Sequence, residues 1–272
     1  SLICGVPFGG QVRANAILKV ATLSRYSFYL LSEVSLVGLD VSSWEKVISA
    51  LDKTVPKYET VNKVITFGYS DRMRKKLAEM IGIRDGMRIL DAGCGPGNMS
   101  LHLLKRMRSG VLYCLDPLQS MLKAAFNNLR WHAGDVRLHF IEGTFESIPL
   151  PDSSIDVVVA SYSLRDARDL YKALSEFKRV LKPGGDLLVL DLVKPDNRLV
   201  SWLIGVYLHY LVPLISAPIY GSLDNPWRQL YPTYREMITA SELVEIIKEE
   251  FEVLRVKKAG IGAFLALRAK KP

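Results

Sequence analysis

The sequence predicts an α/β fold: a doubly wound, mostly parallel, seven-stranded sheet carrying helical caps. Three observations predict it. Short apolar runs alternate with amphipathic stretches from about Met87 to Leu192. The first run ends in a glycine-rich loop, "DAGCGPGN", Asp91 to Asn98. The chain closes with two further apolar runs joined at Gly260 to Gly262.

Each element has its own signal. The runs "MRILDA", "GVLYCLD", "VRLHFIEG", "SIDVVVASYS" and "GGDLLVLDL" are rich in Val, Ile and Leu and bounded by Gly, Pro or Asp. Strands buried on both faces read this way. Helical segments lie between them, at Asn98 to Met107, Leu118 to Leu129 and Arg168 to Leu181. The last stops at "KPGG", where Pro183 and Gly184 cannot continue a helix. Strand and helix alternating with right-handed crossovers make an open, Rossmann-like sheet. Two helical stretches precede it, around Ser43 to Leu51 and Arg72 to Ile81, and an apolar insertion follows, Leu199 to Tyr220. Thr239 and Glu242 are spaced as a capping box before "LVEIIKEEF". The expected organisation is an extension at 1–43, a helical cap at 44–84, a cofactor-binding core at 85–193, the insertion at 194–240, expected to lie over a substrate pocket, and a closing helix and hairpin at 241–272.

Bulk properties bound the function. The chain has 272 residues, 49% of them hydrophobic, and a formal charge of +8. A basic balance suits an anionic membrane surface or a nucleic acid, though scattered lysines and arginines are most often a solvated face. Cys4, Cys94 and Cys114 show neither metal spacing nor a paired framework, which fits a reducing cytosol, and no metal site is expected. Cys94, inside the loop, reads as a small buried residue rather than a nucleophile.

The glycine loop carries the chemistry. In open α/β sheets ligands sit beyond the carboxyl ends of the strands. The second strand ends at Asp116, placed to accept the two hydroxyls of a ribose, so an adenosine-containing ligand is expected. The spacing is G-x-G-x-G at Gly93, Gly95 and Gly97, with Asp91 ahead of it. Asp91 would repel a pyrophosphate but suits a ligand bearing an ammonium group, such as S-adenosyl-L-methionine. The strand ending at Ser161 delivers "SYSLRD" and carries neither the Asn/Asp-Pro-Pro-aromatic set of adenine-methylating enzymes nor a Pro-Cys nucleophile. That strand end argues against nucleic acid as the acceptor.

The chain resembles the ubiquinone/menaquinone biosynthesis C-methyltransferase family from about Val55 to its end. The resemblance rests on "YETVNKVITFGYSDRMR" (Tyr58 to Arg74), "DPLQSML", "SIPLPDSSIDVV", "SYSLRD" and "LKPGG". It implies a cofactor site at Tyr58, Thr66, Asp91, Gly93, Gly95, Pro96, Gly97, Asp116, Pro117, Met121, Thr144, Phe145 and Ser161. The family usually has Asp or Asn where Thr144 stands, and Asn where Asp166 stands.

The expected reaction is C-methylation of a prenylated quinol or related lipid-like aromatic ring. Arg165 would stabilise a ring phenolate, and Asp166, Tyr162 through a water, or His209 would take the ring proton, in falling order; Asp166 could equally hold Arg165 in place. Pro213 and Pro218 are expected to break the insertion, which is read either as a helical cap packed on the core or as the roof of the pocket; in the second reading Trp202 and Tyr207 line a route for an isoprenoid tail, though Trp202 could equally sit at a membrane surface. Cytoplasmic location, peripheral membrane contact and a homodimer are compatible with the sequence. The alternatives are an O- or N-methyltransferase of a soluble small molecule, an RNA methyltransferase, and a non-catalytic cofactor-binding protein.

Overall fold

The computed structural model describes Glu45, Lys46, Ile48, Ser49 and residues 58–272, the side chains of Tyr58 and Glu59 excepted. The extension at 1–43, Cys4 with it, lies outside the described residues. Of the stretch from Ser43 to Leu51, the four described residues are helical.

Helices α1 (Tyr58–Ile65) and α2 (Tyr69–Glu79) lead into the sheet. Then come β1 (Arg88–Ala92), α3 (Asn98–Leu104), β2 (Ser109–Asp116), α4 (Gln119–Leu129), β3 (Asp135–Glu142), β4 (Ile155–Ser161), α5 (Leu170–Val180) and β5 (Leu181–Leu192). After helix α6 (Arg198–Tyr220) come α7 (Leu230–Glu236), α8 (Ala240–Glu250), β6 (Glu252–Ala259) and β7 (Phe264–Lys270). The seven strands lie in the order β3-β2-β1-β4-β5-β7-β6. The β1, β2, β3, β4 and β5 pairings are parallel, and β7 runs antiparallel to both its neighbours. The chain winds outward from β1 to β3 and returns to β1 at β4, so the order reverses between β1 and β4. A crevice opens at such a point, beyond the carboxyl ends of the strands.

Both sheet faces are covered, as the apolar runs require. On one side Phe177, Leu174 and Val180 of α5 and Ile247 of α8 pack against Leu90, Val158 and Val189. On the other, Met73 and Leu77 of α2 and Met99 and Leu103 of α3 pack against Ile89, Val157 and Leu188. The capping box forms at α8: Glu242 N–H donates to Thr239 Oγ1 at 3.2 Å and Thr239 N–H to Glu242 Oε2 at 2.7 Å. The helix expected from Arg168 starts at Leu170, capped by Asp169, whose carboxylate accepts from Lys172 N–H at 3.0 Å.

The insertion departs from expectation. Pro213 and Pro218 do not break it; α6 runs for 23 residues. A π-helical turn at Tyr207–Leu211 stands just before Pro213 and takes up the hydrogen bond and the ring clash that a proline brings. The helix is pinned along one side. Tyr207 Oη donates to Ile65 O at 2.6 Å, Ser201 Oγ meets Tyr234 Oη at 2.8 Å, and Ser216 Oγ meets Asn225 Oδ1 at 3.1 Å.

Candidate active site

An open cleft of about 630 Å³, its mouth included, lies beyond the ends of β1, β2 and β4. Its floor is the glycine loop. Gly93, Gly95 and Gly97 all have positive φ, at 69°, 51° and 86°, but for different reasons. A Cβ on Gly93 would sit 2.4 Å from Ser163 Cβ and 2.9 Å from Phe145 Cζ, so packing within the protein excludes it. A Cβ on Gly97 would press on Leu129 at 3.0 Å. A Cβ on Gly95 would meet nothing within 4 Å. Gly95 is bare toward the cleft, where a ligand can come against the backbone.

Asp116 ends β2 and faces the cleft. Its Oδ2 accepts from Gly95 N–H at 2.9 Å and its Oδ1 from Leu118 N–H at 3.0 Å. Burial pushes its pKa up to about 6 despite those two donors. Each oxygen keeps a lone pair for a further donor. Beside it, Pro117, Leu118 and Met121 line one wall. Thr144, Phe145 and Glu146 line another. The Phe145 ring is also a core residue, edge-on to Phe177 at 5.8 Å between centroids. Glu146 accepts from Arg168 N–H at 2.8 Å, which tethers the segment after β4 to the cleft wall.

At the other side of the cleft stand Tyr162, Ser163 and Asp166. Tyr162 has φ of 60°, strained for a residue with a Cβ and found where surrounding packing enforces it. The turn it makes sends Ser163 to the cleft wall, its Oγ donating to Ala92 O at 2.8 Å. Arg74 lies with its guanidinium carbon 5.0 Å from the Tyr162 ring centroid. Burial pushes the Tyr162 phenol far above its ordinary range, which makes it a poor base. Burial also pushes Asp166 up to about 6, against the pull of Arg165.

Several expected residues stand elsewhere. Arg165 does not line the cleft: its Nη1 donates to Asp191 Oδ1 at 2.6 Å and its backbone N–H to Asp191 Oδ2 at 3.0 Å. The guanidinium expected to face a phenolate is held by a buried carboxylate at the end of β5. Its Nε is 3.7 Å from Asp166 Oδ1, so Asp166 both touches Arg165 and faces the cleft. His209 lies outside the cleft on the exposed side of α6, its ring 4.4 Å from Tyr210 and 4.5 Å from Tyr231. No residue of 194–240 lines this cleft, Trp202 and Tyr207 included.

Thr66 is turned into its own helix end, its Oγ1 donating to Asn62 O at 2.6 Å. Pro96 faces α4, its carbonyl accepting from Asn128 Nδ2 at 3.0 Å. Ser161 lies beneath the cleft, its buried hydroxyl without a hydrogen-bond partner. Tyr58 opens α1, and its side chain is outside the described residues. Asp91 is fully buried behind the loop: Oδ2 accepts from Ser100 Oγ at 2.6 Å, while Oδ1 has no hydrogen-bond partner. Burial raises its pKa to about 6, against the Ser100 hydrogen bond and the charge of Arg74. Sequence reasoning missed Ile48, Leu118, Glu146 and Ser163 in the cleft wall and Asp191 and Arg74 behind it. Only Asp191, the acid closing a strand, carried a readable signal.

Comparison with known proteins fits this architecture. Among solved structures, the [4+2]-cyclase SpnF is similar at a TM-score of 0.58, with 21% identity over 74% of this chain and 80% of that one. A SAM-dependent methyltransferase from Aquifex aeolicus is similar at a TM-score of 0.53, with 21% identity over 73% of this chain and 89% of that one. These likenesses establish the fold alone. The ubiquinone/menaquinone biosynthesis C-methyltransferase of Azotobacter vinelandii is 33% identical over 66% of this chain and 72% of its own length. The demethylmenaquinone methyltransferase of Listeria welshimeri is 28% identical over 75% of this chain and 86% of its own. The family model of the ubiE/COQ5 methyltransferases matches residues 40–270. The chain belongs to the ubiE/COQ5 methyltransferase family.

Proposed function

We propose that the chain uses S-adenosyl-L-methionine to methylate a ring carbon of a prenylated quinol. The residues of the cleft fit that cofactor. Gly95 leaves open space above the backbone, and Asp116 offers lone pairs at the end of β2. Asp116 would hold the ribose hydroxyls, Thr144 and Phe145 would flank the adenine, and the Gly93–Gly95 backbone would support the chain leading to the sulfur. Asp91, behind the loop, would favour a cationic ligand through its field rather than by contact.

When bound, the cofactor supplies a methyl group already activated by a sulfonium. The protein has then to position the ring and remove one proton. Methylation at carbon would replace the ring hydrogen by that methyl group, and the hydrogen would leave as a proton that a residue of the cleft must accept. Asp166 is the base: its carboxyl lines the cleft and its pKa near 6 suits proton acceptance close to neutrality. Arg165, 3.7 Å away, holds it and stabilises its charge. This partly buried, raised carboxyl facing the cleft is the observation that carries the reading. The names of the curated relatives favour a quinone precursor over a soluble acceptor.

The free thiols of Cys94 and Cys114 suit a reducing compartment, and we place the reaction in the cytoplasm. The test is turnover with prenylated quinols against soluble phenols, with product mass read by spectrometry. Methylation of the quinols is expected. Preference for soluble phenols would move the substrate class.

A further inference from the structure

Helix α6 carries an apolar face that the protein leaves uncovered. Leu199, Trp202, Leu203, Tyr210, Leu211 and Leu214 are each between 47% and 66% exposed. Their spacing, widened once by the π turn, keeps them along one side of the helix. The opposite side, with Gly205, Val212, Pro213 and Ser216, is buried against α1, the turn at Pro226–Gln229 and α7. No Asp, Glu, Lys or Arg occurs between Leu199 and Tyr220, and Arg198 opens the helix.

We propose that this face of α6 lies in the surface of an anionic lipid bilayer, parallel to its plane. Three observations select that occupant. The helix has a mean hydropathy of 1.7 over a window only 17% buried, far from a core helix. Trp202 and Tyr210 pair an apolar ring body with a polar edge, the side chains that favour the headgroup boundary. The chain carries a net charge of +8, which attracts an anionic surface and opposes a second copy of itself.

Orientation follows from the anchors. At 23 residues α6 is about 34 Å long, enough to cross a bilayer. But its polar side chains Ser201, Tyr207 and Ser216 are tied to Tyr234, Ile65 O and Asn225 along its length. Crossing would strip that side from its partners. Lying flat immerses only the stripe. The proposal rests on the quinol reading only for the source of the acceptor, which the bilayer would store.

The test uses the full chain without cofactor or acceptor, so its outcome is separate from that of the methylation assay. Sedimentation is measured with vesicles of phosphatidylcholine containing phosphatidylglycerol, and with phosphatidylcholine alone. Binding should be at least tenfold tighter to the anionic vesicles. The triple variant Leu199→Asn, Trp202→Ser, Leu211→Asn should lose at least tenfold while keeping its melting temperature and its calorimetric affinity for S-adenosyl-L-methionine. A second variant, Trp202→Phe, removes one tryptophan so that quenching by lipids brominated at known depths can be assigned by difference. Quenching of Trp202 by shallow bromines supports the flat orientation. Three results would overturn the proposal: no vesicle binding, deep quenching that marks a span, or a dimer at sedimentation equilibrium that the triple variant dissolves without any vesicle binding.

Discussion

Gly95 donates its backbone N–H to Asp116 Oδ2 at 2.9 Å, so the loop at the end of β1 and the acid at the end of β2 form one unit. Replacing Asp116 therefore does two things. It removes the acceptor for a ribose and unties the loop from its neighbour strand. Asp116→Ala should cost about 2–3 kcal/mol of cofactor affinity, the worth of charge-assisted hydrogen bonds. Asp116→Asn, which keeps one oxygen, should cost less. Calorimetry on the folded variants checks both; unchanged affinity in Asp116→Ala would remove the acid from the site.

The glycines should separate by phenotype. Gly93→Ala places a Cβ 2.4 Å from Ser163 Cβ and should destabilise the fold by about 1–3 kcal/mol through overpacking. Gly95→Ala meets no atom within 4 Å. It should cost only the ~1–2 kcal/mol of a left-handed residue while weakening cofactor binding sharply. Denaturant titration and calorimetry together decide. Equal losses of stability with normal cofactor affinity in Gly95→Ala would mean that its bare backbone meets no ligand.

Three carboxyls at or behind the cleft, Asp91, Asp116 and Asp166, are each raised to about 6, in each case first by burial. Between their ordinary value near 3.8 and that raised value, the folded chain holds protons that the unfolded chain has lost. Their contribution to stability is thus fully present below the unfolded value and is lost as pH rises through about 6. In the cofactor-free protein, melting temperature should fall over that window from this source. A cationic ligand favours the ionised forms, so binding near pH 6 should release protons. Calorimetry in buffers of different ionisation enthalpy measures the number; zero release would show that these carboxyls do not sense the ligand. The rate should also fall below about pH 6, as Asp166 becomes protonated.

Asp191 holds Arg165 through a side-chain and a backbone hydrogen bond while only 1% exposed. Asp191→Ala takes from a mostly buried guanidinium its nearest carboxylate, leaves Asp166 at 3.7 Å, and should cost about 2–3 kcal/mol, the worth of a hydrogen bond between charged groups. Arg165→Met in the same chain should recover part of that loss. Additive losses in the double variant would show that the pair is not coupled.

Much of this was legible in the residues. The five Val-, Ile- and Leu-rich runs became the parallel strands, because buried strands need apolar side chains on both faces. Thr239 and Glu242 formed their box, since capping is local chemistry. Asp116 reached the cleft because a strand end fixes where its last residue points. What failed depended on contacts distant in sequence. Arg165 reads as facing substrate because nothing near it in sequence shows Asp191, 26 residues on. Gly93 reads like Gly95, and only the approach of Ser163, from the turn after β4, tells them apart. Pro213 and Pro218 read as breakers, yet a π turn absorbs the first, and no local pattern announces it. His209 reads as a candidate base because nothing local shows that α6 as a whole stands away from the cleft.

Methylation at a ring carbon with Asp166 as base, the proposed reaction, would show in both the product and the rate. Its most direct measurement is transfer of a carbon-13 methyl group to a prenylated quinol, with the product read by nuclear magnetic resonance. A labelled methyl is expected on an aromatic carbon, formed about a hundredfold more slowly by Asp166→Asn in a chain of unchanged cofactor affinity. A label on a ring oxygen, or an Asp166→Asn enzyme as fast as the parent, would contradict it.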